Sequence, residues 1–338
     1  MRFGLLIGLN SRGNDDSSGW QETLEKARIA ESLGIEFLST GEAWGPSSVP
    51  WLTAVALNTS KVSIGTSILN VFSRTPAAIA QDYAVLDELS EGRMILGLGT
   101  SGANVIEHFH GVPFTKPLRR LREYVEIFNI LISGEPLNYD GEIFQMQRGF
   151  RLNYHRVRDH IPVYIAAITP KSIRQTGEIA DGILPIHWPK ALFGQLREDL
   201  QAGAAAAGQP DKPFTIAPYT KVTILDGSSA DEAKRRQAQQ LLQFYINRMG
   251  VFYWQMLERN GFAEEVQNSK AAWAERDADG SIAAISDRML RSCQVIGPIE
   301  EVREQLQERA DLGADLQMLY MPPGDPAQVG RTLESLMR

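Results

Sequence analysis

The sequence predicts a (β/α)8 barrel of the TIM type, eight parallel strands closed on themselves and each followed by a helix. Apolar runs of strand length alternate with amphipathic helical patterns for most of the chain. Such alternation implies parallel pairing through right-handed crossovers. The runs are continuously apolar where a half-exposed strand would alternate, so they read as strands covered on both faces. A third observation weighs against the open doubly wound sheet, which ordinarily uses fewer strands and places a Gly-rich turn after the first one. Here the first strand leads into Asn10-Ser11-Arg12-Gly13, which is no G-x-G-x-x-G.

FGLLIGL (3–9) precedes WQETLEKARIAESLG (20–34), where Leu24, Ala27, Ile29, Ala30 and Leu33 fall close to helical spacing and Gly34 is placed to end the helix. FLST (37–40) precedes the helical SSVPWLTAVALNT (47–59), and VSIGTSI (62–68) precedes PAAIAQDYAVLDELSEG (76–92). MILGLG (94–99), PVYIAA (162–167), GILPIH (182–187), TKVTIL (220–225) and LQMLYM (316–321) complete the eight. Two insertions interrupt the alternation. Residues 135–152 carry Asp140-Gly141 between strand-like runs and read as a β-hairpin. Residues 226–298 form a long, mostly helical segment suited to cover the barrel mouth. The 338 residues are read as one domain, since barrels of this kind run to about 250 residues or more.

With 43% hydrophobic and 22% charged residues the composition is that of a globular domain with a large core. The formal charge of −7 argues against a nucleic-acid footprint, which needs clustered cationic surface. Arg119, Arg120 and Arg122, the densest basic cluster, read as a solvated helix face. Cys293 is the only cysteine, which excludes a disulfide framework or a multi-thiolate metal site within one chain, and it reads as a buried structural thiol. The N-terminal apolar run is too short for a secretory signal and no long apolar stretch follows, so no membrane partner is expected and the cytoplasm is the expected location.

MILGLGTSG (94–102) matches G-x-G-x-x-G at Gly97, Gly99 and Gly102, but it lies mid-chain and no obvious helix start follows. Its position says more. If MILGLG is the fourth barrel strand, Thr100, Ser101, Gly102 and Asn104 stand at the C-terminal face, where barrel enzymes do their chemistry. Small residues there let a bulky ligand approach the backbone. His187, after GILPIH, falls on the same face as a candidate for substrate contact. In AAITPKS (166–172), Ile168 and Thr169 are positioned to offer backbone N–H groups to an anion at a helix N-terminus, with Lys171 adding charge. In the blander reading Pro170 merely starts the helix. His108-Phe109-His110 has the form of a metal pair, but the further ligands such a site needs are missing from the strand ends, and no metal is assigned.

FLSTGEAWGP, the block VSIGTSILNVFSRTPAAIAQDYAVLDELSEGRMILGLGTSG, then HGVPFTKPLRRLREYVEIF, YDGEIF and TPKSIRQTGEIADGIL follow one another in the order found in the bacterial luciferase-like flavin-dependent oxidoreductases. The chain resembles that family over nearly its whole length, and in particular its deazaflavin F420-dependent reductases. The resemblance implies an enzyme with F420 or FMN at the C-terminal strand ends, a small-molecule substrate and a homodimeric or larger homo-oligomeric assembly. It places Glu42 and Trp44 beside the reacting ring, as catalytic candidates with His187. Relatives often carry Asp-His where this chain has Glu42-Ala43, so a catalytic histidine is absent there. It further implies a non-prolyl cis bond at Ser67-Ile68 behind the ring, flanked by Thr66 and Asn70. Thr100, Ser101, Gly102 and Asn104 would meet the ring edge or ribityl chain, and Ile168, Thr169 and Lys171 the phosphate.

Hydride transfer between F420 and a small organic substrate is the expected activity. A reduced-FMN monooxygenase using O2 and a noncatalytic flavin-binding protein are the alternatives.

Overall fold

A computed structural model describes residues 1–8, 19–321 and 324–338. Asn10-Ser11-Arg12-Gly13 lie outside the described residues. The first half of the chain runs β1 (Phe3–Leu6), α1 (Trp20–Ser32), β2 (Phe37–Thr40), α2 (Ser48–Asn58), β3 (Ser63–Thr66), β4 (Leu69–Asn70), α3 (Pro76–Leu89) and β5 (Met94–Gly99). Then come α4 (Ala103–His108), α5 (Pro117–Ile132), β6 (Leu137–Asp140), β7 (Gln145–Phe150), β8 (Val163–Ile165), α6 (Pro170–Ile179) and β9 (Gly182–Ile183). The second half continues through α7 (Phe193–Ala206), β10 (Thr215–Ile216), β11 (Tyr219–Ile224), α8 (Asp231–Arg248), α9 (Val251–Leu257) and α10 (Ala263–Ala274). It ends with α11 (Ala278–Ala283), α12 (Asp287–Cys293), β12 (Val295–Gly297), α13 (Ile299–Asp311), β13 (Gln317–Tyr320) and α14 (Pro326–Met337).

The expected barrel is present. Parallel ladders join β1 to β2, β2 to β3, β3 and β4 to β5, β5 to β8, β8 to β9 and β9 to β10. β10 and β11 are two parts of one extended run, and β11 pairs with β13, which returns to β1. A bridge between Ile186 and Tyr219 helps close the ring. Each of the eight strands expected from the apolar runs is in place. Between β11 and the last helices lies one strand that the helical reading of 226–298 did not include. Val295–Gly297 forms β12, added in parallel outside β11. A three-residue strand flanked by helices leaves no periodicity to detect.

Inside the barrel Phe37, Ile95, Tyr164, Leu184, Ala217, Leu316 and Met318 form a small inner core, while the much larger outer core lies between strands and helices. Gly65 and Gly97 set the tightness of this inner layer. A Cβ on Gly65 would lie 2.0 Å from the Ile95 carbonyl oxygen, and one on Gly97 would lie 1.8 Å from that of Thr66. Only glycine fits either place.

The hairpin is also as expected, β6 against β7, and its turn is captured by one side chain. Buried Glu123 on α5 accepts hydrogen bonds from the N–H groups of Glu142 (2.8 Å), Ile143 (2.9 Å) and Phe144 (3.0 Å). The basic cluster on α5 corrects its reading as a solvated face. Arg119 and Arg122 bridge to Glu142 and Glu178, but the Arg120 guanidinium lies 4.8 Å from the Phe72 ring centre and 5.3 Å from that of Phe144. Cation–π contact holds it half-buried. Cys293 is buried, as expected, and burial pushes its thiol up to about 12.

Candidate active site

The C-terminal strand ends form a mouth with two unlike sides. On the β2–β8 side the lining is small. A Cβ on Gly99 would come 2.9 Å from the Ile68 side chain and 3.3 Å from the Ala166 Cβ, and one on Gly41 would come 3.0 Å from the Ser67 carbonyl oxygen. On the β9–β13 side stand rings. Tyr219 is in register with Met318 and Lys221 with Tyr320. Register partners in a sheet share a face, and Met318 is inward, so Tyr219, Lys221 and Tyr320 line the mouth.

Glu42 follows β2, as expected, but its carboxylate is fully engaged. It accepts from the Ser48 N–H (2.9 Å) and hydroxyl (2.8 Å) at the start of α2, and from Arg74 (2.6 and 3.3 Å). Its side chain is only 9% exposed. Burial opposes ionisation, yet the Arg74 guanidinium and Ser48 outweigh it and hold the carboxyl below its ordinary range. A carboxylate so held is a poor proton carrier. This corrects the expectation of a catalytic Glu42: it is a brace that ties the loop carrying Trp44 to the segment after β4. Trp44 itself is 48% exposed on that loop.

The Ser67-Ile68 peptide is cis, as the resemblance implied. The Ser67 hydroxyl meets that of Ser39 at 2.8 Å, and Ile68 packs on the inner core. Asn70 is buried, and its Oδ1 accepts from the N–H groups of Phe72 (3.0 Å) and Ser73 (2.8 Å). That carbonyl therefore shapes the turn instead of facing a ligand. Thr100 donates to the Ser101 carbonyl (3.2 Å), Ser101 is left-handed at φ 57°, and Gly102 begins α4.

The turn before α6 is more self-contained than expected. The Thr169 N–H donates to the Ser172 hydroxyl (3.0 Å) and the Ser172 N–H to the Thr169 hydroxyl (3.2 Å), a reciprocal capping box. Thr169 is thereby removed as a donor to an anion. The N–H groups of Ile168 and Lys171 make no hydrogen bond among the described residues and keep that capacity. The exposed Lys171 stands beside them without an ion pair among the described residues.

His187 is where the strand reading put it and is 1% exposed, at φ 53°. Its ring meets Tyr245 edge-on at 4.5 Å and Tyr219 at 6.2 Å, and neither ring nitrogen has a hydrogen-bond partner among the described residues. Burial pushes its pKa down to about 3, so the imidazole is neutral at pH 7. Tyr245, from the helical insertion, continues the wall to Tyr253 at 4.9 Å.

Between the β5–α4 turn and α8 opens a cleft of about 470 Å³, lined by Trp44, Asn104, Val105, Phe109, Phe244 and Arg248 among others. From the helical insertion, α8 forms one wall of the cleft. The expected residues thus divide. Trp44, Gly102 and Asn104 line the cleft, Ile68 and His187 sit on opposite sides of the mouth, and Asn70 and Thr169 support the backbone. Missing from the expectations were Arg74, Lys221, Tyr245 and Arg248. Of these only Lys221 left a signal, an ionisable residue within the strand run TKVTIL.

A family profile described as luciferase-like monooxygenase matches residues 1–316. The chain belongs to the luciferase-like family. This luciferase-like enzyme is 30% identical, over 100% of both chains, to a protein of Mycobacterium tuberculosis named "Putative coenzyme F420-dependent oxidoreductase". It is 28% identical, over 88% of each chain, to a 5,10-methylenetetrahydromethanopterin reductase of Archaeoglobus fulgidus. Its fold matches the coenzyme F420-dependent tetrahydromethanopterin reductase of Methanopyrus kandleri with a TM-score of 0.81 at 22% identity, covering 100% and 97% of the two chains. The barrel fold is therefore shared. Among the described residues no helix is long and apolar enough to cross a membrane.

Proposed function

We propose that this enzyme is an F420-dependent oxidoreductase that transfers a hydride between the deazaflavin and a small organic substrate admitted through the cleft. The observation that carries this reading is the two-sided mouth. At Gly41 and Gly99, where an added Cβ would crowd Ser67 and Ile68, the cis segment packs closely on β2 and β5 and forms one side with Ala166, and rings wall the other. Those residues fit a flat, fused ring. The full-length likeness to a protein named as F420-dependent supports the choice of ring.

Ser67, Ile68, Thr100, Ser101, Gly102 and Asn104 would hold the ring and its ribityl chain, and the Ile168 and Lys171 N–H groups with the Lys171 ammonium would hold the phosphate. The deazaflavin, when bound, supplies a carbon that exchanges hydride. The protein's part is to orient and to exclude water. The Glu42–Arg74 brace fixes the Trp44 loop at the cleft, and neutral His187 offers a hydrogen bond without charge.

Titrating F420 and FMN separately, with tryptophan fluorescence as the signal, tests the reading. F420 is expected to bind with a dissociation constant of about 1 μM or less, and Trp44→Phe is expected to remove most of the quenching. Binding of FMN alone would assign the chain to the flavin monooxygenases instead, and binding of neither would end both readings.

We also propose a homo-oligomer. Leu57 on α2 and Val85 and Leu89 on α3 are 64%, 51% and 40% exposed on neighbouring helices, and an apolar patch of this kind marks an association surface. Light scattering should give a dimer or larger, and the double variant Leu57→Lys, Val85→Lys a monomer. A monomeric wild type would refute this.

A further inference from the structure

We propose that Lys221 is the anion-recognising residue of the mouth, and that the substrate of the oxidoreductase proposed above is a flat, conjugated molecule bearing a carboxylate. The inference rests on that reading for the word substrate and on geometry for the rest.

Lys221 points into the barrel mouth by register with Tyr320. Its Nζ lies 4.4 Å from the centre of the Tyr320 ring, and the Tyr219 ring lies 5.3 Å from Tyr320 at a tilt of 32°. The ammonium thus sits at the edge of a nearly parallel pair of rings, with the His187 ring next in line beyond Tyr219.

No carboxylate meets this ammonium among the described residues. Lys116, Lys190 and Lys234 each bridge to an acid on the surface. Glu42, the acid that follows β2 at the mouth, is taken up by Arg74 and Ser48. Drawing an ammonium out of water without a counter-charge costs free energy that one aromatic face offsets only in part. Burial accordingly lowers the Lys221 pKa to about 8. An incoming carboxylate supplies the missing charge. The Tyr219 and Tyr320 rings beside it favour a flat ligand laid against them. A neutral ligand of the same shape would leave Lys221 as uncompensated as before, so charge, more than area, is what the wall discriminates.

Benzoate and benzamide serve as charged and neutral probes of one shape. The full-length protein is acetylated near pH 8 with acetic anhydride, and the Lys221 peptide is followed by mass spectrometry. Near-saturating benzoate is expected to slow acetylation of Lys221 about fivefold, as four-fifths occupancy requires, while Lys116 and Lys234 react as before and benzamide has little effect. Equal protection by both probes, or by neither, would overturn the proposal. By calorimetry Lys221→Met should weaken benzoate about tenfold or more and Lys221→Arg should restore most of the loss. Should Lys221→Met fail to fold, the labelling of the wild type still decides. F420 affinity is expected to be unchanged in Lys221→Met, and a loss there matching that for benzoate would place the anion on the cofactor and overturn the substrate assignment. If the wild type binds neither F420 nor FMN, the oxidoreductase reading falls while the benzoate result still stands or falls by itself.

Discussion

Replacing Gly97 by alanine is expected to destabilise the fold by about 4 kcal/mol, because the new methyl group has nowhere to go. Its carbon would lie 1.8 Å from the Thr66 carbonyl oxygen and 2.7 Å from the carbonyl carbon. Both are backbone atoms, so no side chain can rotate aside. Nor can the strands part easily. The Thr66 hydroxyl donates to the Gly97 carbonyl (2.8 Å), accepts from the Gly97 N–H (3.1 Å) and meets the buried Tyr83 hydroxyl (3.0 Å). Separating β3 from β5 would strip those bonds in a dry interior. The same change at Gly194, in the first turn of α7 with nothing within 4 Å, serves as the control and should be neutral or stabilising by about 0.5 kcal/mol. Urea unfolding of both variants checks the pair. Equal stability of Gly97→Ala and wild type would show that the barrel is looser than the register implies.

Arg74→Ala is expected to cost about 3 kcal/mol at neutral pH, since it leaves the Glu42 carboxylate with little solvent and no cation. Glu42 has its folded pKa depressed by Arg74, so the pair's contribution is fully present above the ordinary carboxylate value. It is lost as pH falls through the folded value. In the variant Glu42 loses that cation, burial then raises its pKa, and acid relieves the buried charge. The stability gap between the two proteins should therefore narrow as the solution is acidified from pH 7 towards pH 4. The double variant Arg74→Ala, Glu42→Gln should recover part of the loss at pH 7. A gap independent of pH would mean that packing of the arginine stem, and not the charge pair, holds the loop.

The strands were legible because burial on both faces writes itself into short runs of apolar residues, and the runs at 37–40 and 94–99 start and stop where the strands do. β12 was not, since three residues carry no period. The site was legible in position and less so in role. Position follows from topology: whatever ends a barrel strand arrives at the mouth, and Trp44, Asn104 and His187 all do. Role depends on partners brought from elsewhere in the chain. Glu42 meets Arg74 across 32 residues, and Arg120 finds Phe72 and Phe144. The Thr169–Ser172 box is local, and TPKS displays its T-x-x-S spacing, but the same letters serve an anion site, and only geometry separates a hydroxyl spent on a cap from one still free. Lys221 was the opposite case, visible as an oddity and without meaning until the register turned it inward.

The two sides of the mouth also come from separate lengths of the gene product. Every residue of the cis-bond side, Gly41, Ser67, Ile68, Gly99 and Ala166, precedes α6, and every residue of the ring wall, His187, Tyr219, Lys221, Tyr245 and Tyr320, follows it. The two sides are thus carried by separate contiguous stretches, while the cleft draws on both, Trp44, Asn104 and Phe109 from the first and Phe244 and Arg248 from the second. A single recombination within α6 would exchange the ring wall as one unit while leaving the cis-bond side and its internal contacts as they are.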